Sequence, residues 1–174
     1  MNLIFIYGKP GVGKLTVSRS LAKITGYKIF HHHMIIDPII GIFNNRNTAF
    51  SELANRLRYE VIREAARVNV NGLIFTFGSP PNNRFVRRII NVVARYNGTV
   101  MFVMLKCKKE VLYRRIRYAS RKRFSKIKTT SMLDSVLKGH DLDVPVPYKN
   151  NLIIDNTDKS PETVAMLIKK HYRL

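Results

Sequence analysis

The chain has 174 residues, 45% of them hydrophobic and 24% charged, ordinary values for one globular domain with a buried core. No apolar run approaches the roughly 20 residues that a bilayer-spanning helix needs, and a single cysteine, Cys107, excludes an internal disulfide and a cysteine-based zinc site. With 31 Lys and Arg against 11 Asp and Glu, the formal net charge of +20 favours anionic ligands: nucleotides, phosphorylated metabolites, RNA or anionic membranes.

The first element is the apolar run Leu3 to Tyr7, which reads as a strand buried on both faces. It is too short for a signal peptide and has no basic region before it, so a reducing, cytoplasmic location is expected. Gly8-Lys9-Pro10-Gly11-Val12-Gly13-Lys14 follows at once. This is the spacing of a phosphate loop, and it lies where such a loop must lie, between a buried strand and a helix. Its glycines let successive backbone N–H groups point into one concavity. The helix N-terminus adds partial positive charge, and Lys14 can neutralise the outer phosphates. Leu15 stands where the pattern usually has Ser or Thr, and the hydroxyl comes one place later, at Thr16. Leucine cannot ligate Mg²⁺, so other side chains, water and the phosphates must hold the metal.

A helix is expected over Lys14 to Thr25 and a short strand over Tyr27 to Phe30. The run His31-His32-His33 comes next. On a strand, neighbours point to opposite faces, so His31 and His33 share one face and consecutive histidines make a poor zinc site. Asp37 and Pro38 suggest a helix from Asp37 to Asn44 with the proline in its first turn. Asp37 then has two readings: a helix N-cap, or an acid that removes a proton from an alcohol or orients hydrated Mg²⁺.

Apolar residues at helical spacing (Phe50, Leu53, Ala54, Leu57, Val61, Ala65, Val68) predict a long helix from Thr48 to Asn69. Strand Leu73 to Phe77, a turn-rich loop Gly78 to Asn83, helix Arg84 to Tyr96 and strand Thr99 to Leu105 complete the middle of the chain. From Lys106 to Lys138 there are 12 basic residues and two acids. Helices are expected over Lys109 to Ser120 and Ser131 to Lys138. On the first, Arg114, Arg117 and Arg121 share one face, with Leu112, Ile116 and Ala119 roughly opposite. A fifth strand, Leu152 to Asp155, precedes Asn156-Thr157. A last helix is expected with Ser160 as N-cap and Pro161 at its first position. Alternating strands and helices argue for a single α/β domain over residues 1–174, with five parallel strands and a ligand at their carboxyl ends.

Gly8 to Thr16 resembles the loop of adenylate kinases and related nucleoside monophosphate kinases, and almost equally that of shikimate-kinase-like small-molecule kinases. Beyond the loop the resemblance is one of layout. It implies a three-layer αβα sandwich with sheet order 2-3-1-4-5, Mg-ATP on Gly8, Pro10, Gly11, Val12, Gly13, Lys14, Leu15 and Thr16, and an acceptor site over the second and third strands. It also implies a mobile arginine-bearing lid over about residues 118–132, from which Arg117 and Arg121 reach the transferring phosphate. Asn156 and Thr157 would border the adenine. His31, His33, Asp37 and Arg84 become acceptor-side candidates, with Thr16 and Asp37 as metal-side candidates. Arg56 and Arg58 are weaker acceptor candidates. Thr76-Phe77-Gly78 lacks the carboxylate that nucleoside monophosphate kinases carry there, which leaves Asp37 as the main acid.

The expected activity is transfer of the γ-phosphate of ATP to a nucleoside monophosphate or a small hydroxyl metabolite. The competing reading is a nucleic-acid-associated ATPase, or a polynucleotide 5′-kinase, that uses the basic segment. Aromatic residues are not interleaved with that segment in the regular way that a stacking platform would require.

Overall fold

Leu3, Phe5 and Tyr7 alternate with Ile4 and Ile6, and all five are fully buried, because β1 (Asn2–Tyr7) lies at the centre of a parallel sheet covered on both faces. The computed structural model describes residues 1–43, 47–78, 83–119, 124–139 and 142–174. β1 pairs with β3 (Gly72–Thr76) on one side and β4 (Thr99–Lys106) on the other. β2 (Lys28–His31) and β5 (Asn151–Asp155) complete the sheet. The order β2-β3-β1-β4-β5, all parallel, is the one implied by the resemblance to P-loop kinases.

Leu3, Phe5 and Tyr7 pack with Ile62 and Ala66 of α3 (Thr48–Arg67) and with Phe85, Val86, Ile89, Val92 and Val93 of α4 (Asn83–Arg95). Ile4 and Ile6 pack with Val17 and Leu21 of α1 (Lys14–Thr25) and with Val164, Ala165 and Ile168 of α7 (Pro161–Tyr172). Leu112 and Ile116 of α5 (Lys109–Ile116) and Leu133 of α6 (Thr130–Gly139) join that second cluster. Helix, sheet and helix therefore form three layers. Helix α7 begins as its sequence suggests: Ser160 Oγ accepts from Thr163 N–H at 3.1 Å, with Pro161 in the first turn. No helix among the described residues is long and apolar enough to cross a membrane.

Two expectations fail, both near the carboxyl ends of the strands. Helix α2 (His33–Ile40) starts four residues before Asp37, so Asp37 is not its N-cap and Pro38 lies inside it. Burial explains the choice. Ile36 and Ile39 pack with Phe50 and Ala54 of α3, and this apolar contact offsets the hydrogen bond that the proline removes. Helix α5 ends at Ile116, with Arg117 as its C-cap, instead of running to Ser120. Arg114, Arg117 and Ala119 are exposed, so the expected apolar face stops at Ile116. Arg121 lies outside the described residues.

Candidate active site

The loop after β1 needs its glycines. Gly8, Gly11 and Gly13 have φ of 138°, 87° and 100°, a region that favours glycine and that turns successive N–H groups toward one side. At its mouth, Lys14 Nζ donates to the carbonyls of Gly8 at 2.6 Å and Lys9 at 2.9 Å, which holds the ammonium across the loop. From behind, the Val12 carbonyl accepts from Asn156 Nδ2 at 2.8 Å and from Arg115 Nη1 at 3.2 Å. Arg115 also donates to Asn156 through Nη1 to Oδ1 at 3.1 Å and through Nη2 to the carbonyl at 3.0 Å. Lys9 reaches Asp143 at 2.6 Å, and the Val146 N–H donates to Tyr7 Oη at 2.9 Å. The phosphate loop and the strand before it are thus tied to α5 and to the segments after α6 and β5.

A cavity of about 690 Å³ opens over the carboxyl ends of the strands. Pro10, Gly11, Gly13, Lys14, Leu15 and Thr16 line one end, and His31, His32, His33, Thr76 and Gly78 line the other. Arg115, Ser125, Lys126 and Asn156 also face it. One compartment therefore holds a phosphate-binding loop, cationic side chains and an imidazole-rich end.

The histidines are not arranged as on a strand. β2 ends at His31 and the chain turns straight into α2, so all three line the same cavity. Asp37 accepts from His33 Nδ1 at 3.1 Å. An ionised carboxylate only accepts, so a neutral His33 carries its hydrogen on Nδ1 and its lone pair on Nε2. His32 has the opposite arrangement. Arg58 Nη2 lies 3.2 Å from His32 Nδ1, and a guanidinium only donates, so a neutral His32 carries its hydrogen on Nε2.

Arg58 is 3% exposed. It also donates to Asn55 Oδ1 at 2.7 Å, lies 5.2 Å from the Phe77 ring centroid, and has no carboxylate partner among the described residues. Burial pulls its pKa down to about 10, so it stays cationic at neutral pH and adds positive potential behind the histidines.

Residues 124–127 close over this end. Phe124 stacks on His33 with ring centroids 5.5 Å apart and meets His31 edge-on at 5.0 Å. Lys126 Nζ lies 4.5 Å from the Phe124 centroid. The Ser125 N–H donates to Asp37 Oδ1 at 3.3 Å. Asp37 therefore anchors this segment and His33 together, and it does not itself line the cavity.

Of the residues singled out from sequence, the loop residues, His31, His33 and Asn156 meet at the cavity, although Gly8 and Val12 support the loop without lining it. Thr157 turns away, its Oγ1 accepting from Lys108 N–H at 3.0 Å. Arg84 and Arg117 are exposed and do not line the cavity. Arg115, His32 and Lys126 were missed. Arg115 could have been found. It follows Val111 by four residues and Leu112 by three, on the buried stripe of α5, so of the arginines there it is the one turned inward.

His31 supplies a pH test. Burial lowers its pKa below 6.5, reinforced by the positive charges of His33, Lys126 and Arg19 and opposed by Asp37. Its Nδ1 is buried with no hydrogen-bond partner among the described residues. A histidine whose folded pKa is depressed binds more protons when unfolded, so its stabilising contribution is complete above pH 6.5 and is lost as pH falls through the folded value. Tm should therefore fall below pH 6.5 more steeply in wild type than in His31→Asn; parallel Tm–pH curves would refute this.

A family model described as an AAA domain matches residues 4–132, a span that holds the phosphate loop, the three histidines, Arg58 and Arg115. The fold is similar to that of an unliganded sugar kinase from a Janibacter species, at 18% identity, with 99% of this chain and 95% of that one covered and a TM-score of 0.74. A shikimate kinase from Bacteroides thetaiotaomicron is similar at 20% identity, with 99% and 98% covered and a TM-score of 0.67. A gluconokinase from Sinorhizobium meliloti is similar at 12% identity, with 99% and 95% covered and a TM-score of 0.62.

Proposed function

This chain belongs to the AAA domain family of P-loop proteins, and from that premise we propose that it is a kinase that transfers the γ-phosphate of ATP to the hydroxyl of a small metabolite. The observation that carries the reading is the single cavity with a lysine-bearing phosphate loop at one end and, at the other, His33 held from outside the cavity by Asp37. Solved kinases of the same fold act on a sugar, shikimate and gluconate, and all three are hydroxyl compounds.

In this reading the triphosphate lies on the loop from Gly8 to Thr16, with the Lys14 ammonium against its outer phosphates. Asn156 and Arg115 keep the loop in shape. The acceptor oxygen attacks the γ-phosphorus as the bond to the β-phosphate oxygen breaks, and ADP leaves. His33, oriented by Asp37, takes the hydroxyl proton on Nε2. His32, oriented by Arg58, donates from Nε2–H to the acceptor. Residues 124–127, a described part of the expected lid that meets the cavity, cover its histidine end, with Lys126 bringing charge to the cavity and Phe124 excluding water from the histidines.

The donor set also suits Mg²⁺ carried by ATP. Thr16 is a cavity-lining hydroxyl, and no cluster of three His, Cys, Asp or Glu among the described residues forms an all-protein metal site. Thr16, phosphate oxygens and water would hold the ion, with Asp37 as an outer acid. When bound, Mg²⁺ offsets the negative charge between the β- and γ-phosphates.

ADP release measured across sugars, sugar acids, cyclic polyol acids and nucleoside monophosphates tests the reading. At least one hydroxyl acceptor should raise turnover well above ATP hydrolysis alone. Asp37→Asn should lower kcat for that acceptor by about 10²-fold, the low end for general-base catalysis. Stimulation by a nucleoside monophosphate alone, or unchanged kcat in Asp37→Asn, would count against it.

A further inference from the structure

Helix α4 carries Arg84, Arg87, Arg88 and Arg95 and has no acid among its 13 residues. Phe85, Val86, Ile89, Val92 and Val93 turn inward. The four arginines are exposed and lie together with Asn91 on the opposite face. Spacings of three and four keep them in one stripe. With a rise of about 1.5 Å per residue, the stripe from Arg84 to Arg95 is about 16 Å long, roughly one arginine per turn.

Neighbouring acids do not neutralise Arg87, Arg88 and Arg95. In the adjacent helix α3, Glu60 pairs with Arg63, and Glu64 pairs with Arg63 and Arg67. Arg87, Arg88 and Arg95 form no ion pair with any described residue. Arg88 is held with its guanidinium 4.3 Å from the Tyr59 ring centroid, which restricts the side chain before any partner arrives.

We propose that the outer face of α4 is a docking strip for the phosphodiester backbone of a nucleic acid. Regularly spaced guanidinium groups match a chain of phosphates, each of which can accept two parallel N–H bonds. A membrane surface fits less well, because the exposed large apolar residues of the protein include none on α4, and interfacial helices need such an apolar side. An acidic protein fits less well for the same reason, since stable protein interfaces centre on apolar or aromatic anchors. The basic segment after β4 is a weaker candidate, because Arg115 and Lys126 there are committed to the cavity. The strip does not depend on the kinase reading.

The test is fluorescence anisotropy with a labelled single-stranded 20-mer of oligouridine, titrated from 50 to 300 mM salt. Wild type should bind in the micromolar range at low salt, with log K falling linearly with log salt. The triple variant R87Q/R88Q/R95Q should bind at least about tenfold more weakly. Loss of three phosphate contacts should reduce the slope by about 2, given about 0.7 per contact for single strands. A control, K23Q/K28Q/K170Q, removes the same charge from exposed lysines elsewhere and should change the slope by less than 1. Unchanged Tm in both variants would exclude unfolding as the cause. Equal effects of the two triples, absence of binding by wild type, or stripe-dependent sedimentation with phosphatidylserine vesicles in place of RNA binding would each overturn the proposal.

Discussion

Lys14→Met is expected to lower kcat for ATP-dependent phosphoryl transfer by about 10³-fold, equivalent to about 4 kcal/mol of transition-state stabilisation. The ammonium lies 2.6 Å from the Gly8 carbonyl and 2.9 Å from that of Lys9, so it is centred on the loop. Transfer spreads negative charge over the moving phosphoryl group, and a fixed cation there interacts more strongly with the transition state than with bound ATP. Methionine keeps the length of the side chain and removes only charge and donors. Stability should change by about 1–3 kcal/mol, because the Gly8 and Lys9 carbonyls lose the ammonium from which they accept. The measurement is ADP release at saturating ATP beside a thermal melt. Turnover within threefold of wild type would remove Lys14 from the reaction and, with it, the kinase reading of this loop.

Gly8→Ala should act on the fold instead, with a cost of about 3–5 kcal/mol. A Cβ at Gly8 would stand 2.4 Å from the Leu105 carbonyl oxygen, a main-chain atom of β4 that cannot move without opening the sheet. The residue also has φ of 138°, which side chains avoid. With a urea m-value of about 1–3 kcal/mol/M, the unfolding midpoint should fall by about 2 M. Gly26→Ala is the matched comparison. Its φ of 73° is also positive, but nothing lies within 4 Å of its Cβ position, so strain of about 1–2 kcal/mol is all it should cost. Equal midpoints for the two variants would show that the contact between the phosphate loop and β4 does not constrain the fold.

Both substitutions fall in the part of the protein where local sequence and tertiary structure agree. Strand β1 is legible because an unbroken apolar run suits a position covered on both faces, and Leu3 to Tyr7 are all buried. The loop is legible because three positive-φ glycines and a lysine at fixed spacing have few other uses. Helix α7 is legible from its own cap, since Ser160 and Pro161 act within one turn. Agreement weakens wherever an element takes its limits from something distant. Asp37-Pro38 has the local look of a helix start, yet α2 begins at His33 because Ile36 and Ile39 are drawn onto α3. Helical spacing on α5 groups Arg114 with Arg117, yet the helix stops at Ile116 and leaves both exposed.

The amino-acid sequence by itself determined the elements whose signals lie within a few residues: the buried central strand, the phosphate loop, the capped helix α7 and the excess of positive charge. Only the tertiary structure decided which charged groups meet. It selected Arg115 over its neighbours, set Arg58 behind His32, and made Asp37 the partner of both His33 and the backbone of Ser125. The reason is physical. A strand or a cap is stabilised by atoms close in the chain, whereas a side chain's electrostatic role depends on partners far along it, 88 residues away between Asp37 and Ser125 and 134 between Lys9 and Asp143, and no local pattern encodes that separation.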